Sequence, residues 1–461
     1  MVFKIRLIVS KPSDFWLSEK YVERGYWGFI RCEKDYEDEK ISIEEEIGEI
    51  ITSLKNEGKD LELLPMIEVQ NINEVMNNFY SIREADLNIV LVFFPMGVWD
   101  PGGLVYAVVS ASNYVIFFDK FRPNIYAGTL FTPPVIKYLE ERKMDDKVFI
   151  VEGDIEKLKS IIRALYGLYK LSQAKLVCVG PINRAFGGWP TLKKGMDTYG
   201  FNVKFYTYDE FVDDFNKILA EDKGDVEKVV ENFVSNAIKV VEPTREKLLR
   251  AAVYHLVLKK YLEENNSDWI TVNCLSELVS RTKATPCMSF SILNDEGYVA
   301  TCEADSTAMI LHYLMRHIAS KPTFFNDPTV NERDGTLILA HCTSPTKMLG
   351  YREKRLEYEV RTHHESNYGA TPKPYFKKGI VTIAGLSFNL DKMLIVTGEV
   401  VGSPRLRICR SQVEVKIKNP SKVLEDWQGF HWIMVYGDYS EELKTVCRIK
   451  GIKAIMHLFN R

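Results

Sequence analysis

The sequence has no run of five or more lysines and arginines, and its 60 Lys+Arg nearly balance 63 Asp+Glu, for a formal net charge of −3. No nucleic-acid or polybasic membrane-surface partner is expected from that balance. There is no CxxC pair: the eight cysteines, at 32, 178, 274, 287, 302, 342, 409 and 447, come no closer than 13 residues. That excludes zinc-finger spacing and a disulfide framework, and suits free thiols in a reducing compartment. Long apolar runs are lacking too. The richest, Ile89 to Trp99, is interrupted by Pro95 and Gly97 and reaches about half of what a membrane span needs. The opening MVFKIRLIVSKPSDF shows neither an apolar h-region nor a small-residue cleavage site, so a soluble, cytoplasmic protein is expected.

Several catalytic signatures are absent as well. No G-x-x-x-x-G-K-[ST] and no G-x-G-x-x-G follows a strand pattern, and no G-x-S-x-G elbow supplies a hydrolase nucleophile.

What is present is an ordinary globular composition, 46% hydrophobic and 27% charged, over 461 residues. At roughly 150 residues per domain this suggests about three domains. The first half alternates short β-branched and aromatic runs with helical patterns, as parallel βαβ units do. Strands are expected at Phe3 to Val9, Leu61 to Val69, Leu87 to Pro95, Tyr114 to Phe118 and Lys147 to Glu152. A second series runs through Lys175 to Gly180, Asn202 to Tyr208 and Trp269 to Cys274, with a long charged helical stretch from Asp225 to Glu264. Past residue 345, consecutive strand patterns at Tyr358 to Ser366, Gly379 to Phe388, Lys392 to Gly402 and Gln412 to Ile417 predict antiparallel pairing. The expected architecture is α/β: two Rossmann-like parallel-sheet domains, 1–173 and 174–345, followed by a smaller antiparallel β-rich C-terminal domain, 346–461.

Open α/β sheets bind ligands at the carboxyl ends of their strands. Two glycine loops stand there, Pro95-Met-Gly-Val-Trp-Asp-Pro-Gly-Gly103 and Gly180-Pro-Ile-Asn-Arg-Ala-Phe-Gly-Gly-Trp189, each with an aromatic that could stack on a sugar face. Acids follow two later strands: Glu277 in Thr271-Val-Asn-Cys-Leu-Ser-Glu-Leu278, and Glu303 and Asp305 in Tyr298-Val-Ala-Thr-Cys-Glu-Ala-Asp305. Asp305 also fits the N-cap of the helix that follows. The adjacent His363 and His364 point to opposite faces of a strand and cannot both hold one ion.

The late segment Gly429-Phe-His-Trp-Ile-Met-Val-Tyr-Gly-Asp438 resembles the closing motif of the L-fucose isomerase family, and Cys274 to Leu278 and Ala300 to Ser306 resemble its two carboxylate segments. The resemblance covers residues 270–345 and 425–461 and is loose over the first 170. It implies a metal-dependent aldose–ketose isomerase of the L-fucose/L-arabinose isomerase type, acting on a free monosaccharide through a cis-enediol. Carried over, Glu277, Asp305 and His431 are the ligands of Mn²⁺, or of Mg²⁺ or another divalent cation, with Glu277 and Asp305 doubling as the acid–base pair. Trp99, Trp189, His341 and Trp432 are the substrate-contact candidates. The family also implies a homotrimer or homohexamer in which the N-terminal domain covers a neighbour's site. A sugar-binding or sensing module of the same architecture is the alternative.

Overall fold

The computed structural model describes residues 2–11, 32–92, 101–119, 137–275 and 277–459. The chain divides into two units, Met1–Ile162 and Arg163–Arg461.

The first unit is built on β1 (Phe3–Ser10), β2 (Leu61–Val69), β3 (Leu87–Val92), β4 (Tyr114–Asp119) and β5 (Val148–Glu152), all parallel in the order β2-β1-β3-β4-β5. Its inner strands are apolar on both faces: Ile5, Leu7, Ile8, Ile89, Val90 and Ile116 are all buried. That is the pattern of a sheet covered on both sides. β2 is an edge strand, and its Pro65 falls where the β1–β2 register shifts, between the pairs Arg6–Leu64 and Ile8–Ile67, as suits a residue with no N–H to give.

The second unit opens with four parallel strands, β6 (Lys175–Val179), β7 (Asn202–Tyr206), β9 (Trp269–Val272) and β10 (Val299–Cys302), in the order β10-β9-β6-β7. The charged stretch between them is two helices, Lys223–Ser235 and Arg245–Glu264, separated by the short β8 (Lys239–Val240). The second helix buries a broad face of Ala251, Ala252, Tyr254, Val257, Leu258, Tyr261 and Leu262. Strand β8 joins β13 (Tyr358–Arg361) and β14 (Thr371–Pro374) in a small sheet.

The antiparallel part is a closed ring. Strands β11 (Phe324–Asn331), β12 (Thr336–His341), β15 (Gly379–Leu386), β16 (Lys392–Gly402), β17 (Ser411–Ile417) and β18 (Trp432–Tyr436) pair in the order β15-β18-β11-β12-β17-β16. The β15–β16 ladder closes the circle. The first half of β16 carries β19 (Lys453–His457) and its second half carries β17, both on the side away from β15. Two of the ring's strands, β11 and β12, precede residue 345, so the expected boundary there cuts through this barrel.

Period-2 alternation sorts the barrel residues into two cores. Phe324, Leu337, Leu339, Val381, Ile383, Leu394, Val413, Trp432 and Met434 fill the barrel. Phe325, Ala384, Leu386, Met393, Ile395, Ile433 and Val435 face outward and join the core of the parallel sheet. This shared core is why residues 174–345 and 346–461, expected to be separate domains, form one unit. It also corrects one site expectation: Trp432 is fully buried in the barrel, its indole N–H donating to the Gln428 carbonyl at 2.8 Å.

Two tryptophans should therefore respond in opposite ways to truncation. Trp432→Ala should cost about 3–5 kcal/mol, the range for emptying a large core side chain. Trp189, 53% exposed, should cost within about 0.5 kcal/mol when changed to Ala. Urea denaturation followed by circular dichroism reads both, and equal effects would overturn the assignment of Trp432 to the core.

Candidate active site

The carboxyl end of β10 meets the rim of the barrel. After Cys302 the chain makes a turn through Glu303 and Ala304, whose φ values of +60° and +51° are left-handed, a region uncommon for residues with a side chain. Asp305 then starts the helix Ser306–Ala319, accepting from the Thr307 and Ala308 amides at 2.9 Å each and from the Thr307 hydroxyl at 2.8 Å. The glycine loop after β6 clasps this turn: the Asn183 amide donates to the Ala304 carbonyl at 3.3 Å, and the Ser306 hydroxyl to the Gly188 carbonyl at 2.9 Å. That loop begins at Gly180, where a Cβ would stand 2.2 Å from the Tyr208 ring. The Tyr208 hydroxyl in turn donates to the Asn273 carbonyl beyond β9, at 2.8 Å.

Across from this turn, β11 offers Asp327, β12 ends in His341, and His431 precedes β18. His431 Nδ1 lies 2.8 Å from Asp305 Oδ2, and its Nε2 lies 3.2 Å from Asp327 and 3.6 Å from Glu303. His341 Nε2 is 3.5 Å from the other Glu303 oxygen, while its Nδ1 meets the Thr343 hydroxyl at 3.0 Å. The Phe325 ring wedges beside both imidazoles, at 4.8 Å from His341 and 4.4 Å from His431. Phe186, from the glycine loop, and Phe430 each lie 4.7 Å from the His431 ring.

Three carboxylates face two buried imidazoles here, and the electrostatics follow. Burial opposes a charge on His431, but Asp305, Asp327 and Glu303 outweigh it and raise its pKa to about 10. Burial likewise opposes a charge on His341, and Glu303 and Asp327 raise it despite the neighbouring His431. Asp327 is lowered: burial acts against its ionisation, and the two histidines prevail. The pocket therefore attracts positive charge. Ligand atoms of Asp327, His341 and His431 lie within 4.8 Å of one another, as do those of Cys302, Glu303 and His341. This mix of oxygen and imidazole donors fits a divalent cation. Asp305 is fully buried and hydrogen-bonded to Thr307, Ala308 and His431. It is placed to orient His431, in the manner of carboxylates that hold a metal-ligating imidazole.

The structure thus brings Asp305, His341 and His431 together, with Asp305 behind the imidazole. Glu277 follows β9 on the same sheet edge but turns outward: its side chain is 53% exposed and pairs with Arg281 at 2.9 Å. Trp189 also faces outward, 6.3 Å from the Phe205 ring, and Phe186 of the same loop takes the inner position. Trp99 lies outside the described residues. The sequence treats Glu303 only as the neighbour of Asp305 and passes over Asp327, although an acid in the apolar strand Phe324-Phe-Asn-Asp327 is a usable signal. His363 is a further residue that the pattern of adjacent histidines sets aside. It is buried, and its Nδ1 accepts from the Ser366 amide at 3.2 Å and meets the Ser366 hydroxyl at 3.0 Å. An amide can only donate, so the neutral ring carries its proton on Nε2. Burial lowers this histidine's pKa to about 4, with Glu365, His341 and Glu303 among the charges it senses.

No family model matches the chain. It is similar to curated proteins named sulfoquinovose isomerase. The one from Clostridium sp. (strain MSTE9) is 21% identical over 315 residues, 66% of this chain and 69% of the relative. Those from Alkalicoccus urumqiensis and Priestia megaterium are 23% and 22% identical over 215 and 222 residues. For these two the match covers 45–46% of this chain and 48–49% of the relative. Among the described residues, no helix is long and apolar enough to cross a membrane.

The raised His431 sets a pH dependence. Its stabilisation of the metal-free fold is complete below its unfolded value of 6.5 and is lost as pH rises through about 10. Asp305→Asn keeps a side-chain cap but removes the charge, so the fall in denaturation midpoint between those pH values should be shallower than in the parent. Identical slopes in metal-free protein would overturn the Asp305–His431 coupling.

Proposed function

We propose that the chain is a sugar isomerase that interconverts an aldose and a ketose with a divalent cation, Mn²⁺ or Mg²⁺. The similarity to sulfoquinovose isomerases supports the sugar isomerase part of this reading. The observation that carries the rest is the meeting of Glu303, Asp327, His341 and His431 at the end of β10. Those four side chains would hold the ion, which when bound polarises the sugar carbonyl as a Lewis acid.

The chain's own groups then have distinct tasks. Asp305 keeps the Nδ1–H of His431 occupied, which leaves Nε2 directed at Asp327 and Glu303. Glu303, on a turn fixed by Asn183 and by the helix start, is the carboxylate we assign to carry the proton between C2 and C1 through a cis-enediol. Glu277, on the neighbouring strand's carboxyl end, is its partner in acid–base exchange, and its ion pair with Arg281 has to open for it to turn toward a sugar. His363 supplies a neutral N–H donor for a hydroxyl. Phe186 and Phe430, 4.5 Å apart, give an apolar flank for a sugar face. Assembly as a homotrimer or homohexamer belongs to the same reading. A sugar-binding module would need no such cluster of acids and imidazoles, which weighs against the alternative.

The test is turnover of a panel of aldoses and ketoses, sulfoquinovose included, in D₂O with Mn²⁺. Proton transfer through a carboxylate predicts deuterium in the recovered product, whereas a hydride shift keeps it out. Glu303→Gln should lower kcat by about 10² or more. Activity that survives exhaustive chelation would sink the metal, and unlabelled product from a near-normal Glu303→Gln enzyme would sink the proton pathway.

A further inference from the structure

Beneath the proposed centre lies sulfur. Cys274, beyond β9, and Cys302, the last residue of β10, bring their Sγ atoms to 3.5 Å in a buried setting, both as free thiols. Cys302 is also the residue before Glu303, and its Sγ lies within 4.8 Å of a Glu303 oxygen and of a His341 nitrogen. From this geometry we infer a second metal site, formed by Cys302, Glu303 and His341, that takes a thiophilic d¹⁰ cation such as Zn²⁺ or Cd²⁺. It rests on the reading above in one respect: Glu303 and His341 are common to both sites, so filling one dismantles the other.

The donor chemistry separates the two. Mn²⁺ and Mg²⁺ are held by oxygen and imidazole and gain little from sulfur, whereas Zn²⁺ bonds thiolate at about 2.3 Å and imidazole at about 2.0 Å. His341 keeps Nδ1 on Thr343, so Nε2, 3.5 Å from Glu303, is the ligating atom. Binding displaces the Cys302 thiol proton, and the His341 Nε2 proton wherever that ring is charged, and leaves the Cys274 S–H 3.5 Å away as a donor to the new thiolate. A thiophilic ion would draw Glu303 toward β10 and away from a sugar, so Zn²⁺ and Cd²⁺ act as inhibitors that Mn²⁺ must displace.

The full chain, stripped by chelation, is titrated with Cd²⁺ and separately with Mn²⁺. Cd²⁺ should raise an ultraviolet sulfur-to-metal charge-transfer band that saturates at one ion per chain, and Mn²⁺ should raise none. Cys302→Ser should abolish the band and weaken Cd²⁺ binding about 10- to 100-fold, while Mn²⁺ still binds. Absence of the band from wild-type protein saturated with Cd²⁺ overturns the site whatever the variant does. A band that persists in folded Cys302→Ser overturns it as well, by assigning the sulfur to another cysteine. A Cd²⁺ band that needs Cys302, in a protein that binds no Mn²⁺ and turns over no sugar, supports this site and removes the isomerase reading instead.

Discussion

The carboxylate of Asp305 ties together two layers that the chain builds separately. One oxygen receives three donors from the first turn of the helix Ser306–Ala319, and the other meets His431, 126 residues further on, at the lip of the barrel. The side chain has no exposure, so breaking any of these hydrogen bonds would leave a buried charged group short of a partner, a cost of several kcal/mol by the usual order of magnitude. The helix direction, the ring plane of His431 and the docking of the barrel rim therefore constrain one another. Movement of that one carboxylate would release all three.

The left-handed turn at Glu303 and Ala304 has a related logic. Two consecutive residues with side chains in that region are costly, and neither is glycine. The turn is held by the Asn183 amide on one side and the helix start on the other, so the surroundings bear the strain. Its effect is to lift the Glu303 carboxylate out of the line of β10 toward both imidazoles. An ordinary strand continuation would put residues 303 and 305 on one face, where they would compete for His431 rather than divide the work.

Much of this is legible in the sequence, and the gaps have physical reasons. The parallel strands of both sheets announce themselves because buried strands are apolar throughout, and most observed limits fall within one or two residues of the patterns, as at Leu61–Val69 and Lys392–Gly402. The resemblance groups Asp305 with His431, and the two side chains do touch. The ring of strands is harder: Phe324–Asn331 and Thr336–His341 read as the tail of an α/β domain, since nothing local says that a strand pairs with one a hundred residues later. Asp327 escapes notice for that reason. Trp432 opens β18 and alternates with Ile433, so once Ile433 and Val435 face the parallel-sheet core, Trp432 and Met434 must face the barrel. Glu277 is legible as an acid after a strand, but the direction of its side chain depends on Arg281, one helical turn on, and on the surface around it.

The closed ring has a consequence for how the molecule is made. β11 and β12 are the first strands of the ring to be synthesised, yet β11 finds its second neighbour only in β18, and β15, β16 and β17 are all in place before that strand appears. Pairings of such long sequence separation form late and slowly. During that interval β11 has an open edge and Phe325 lacks its outer packing, so the growing chain is prone to association with other chains. A carboxylate–imidazole cluster divided between residue 303 and residue 431 cannot exist on a partly emerged chain. The nascent protein is therefore most exposed to aggregation before the contacts that hold the His431 ring in place can form.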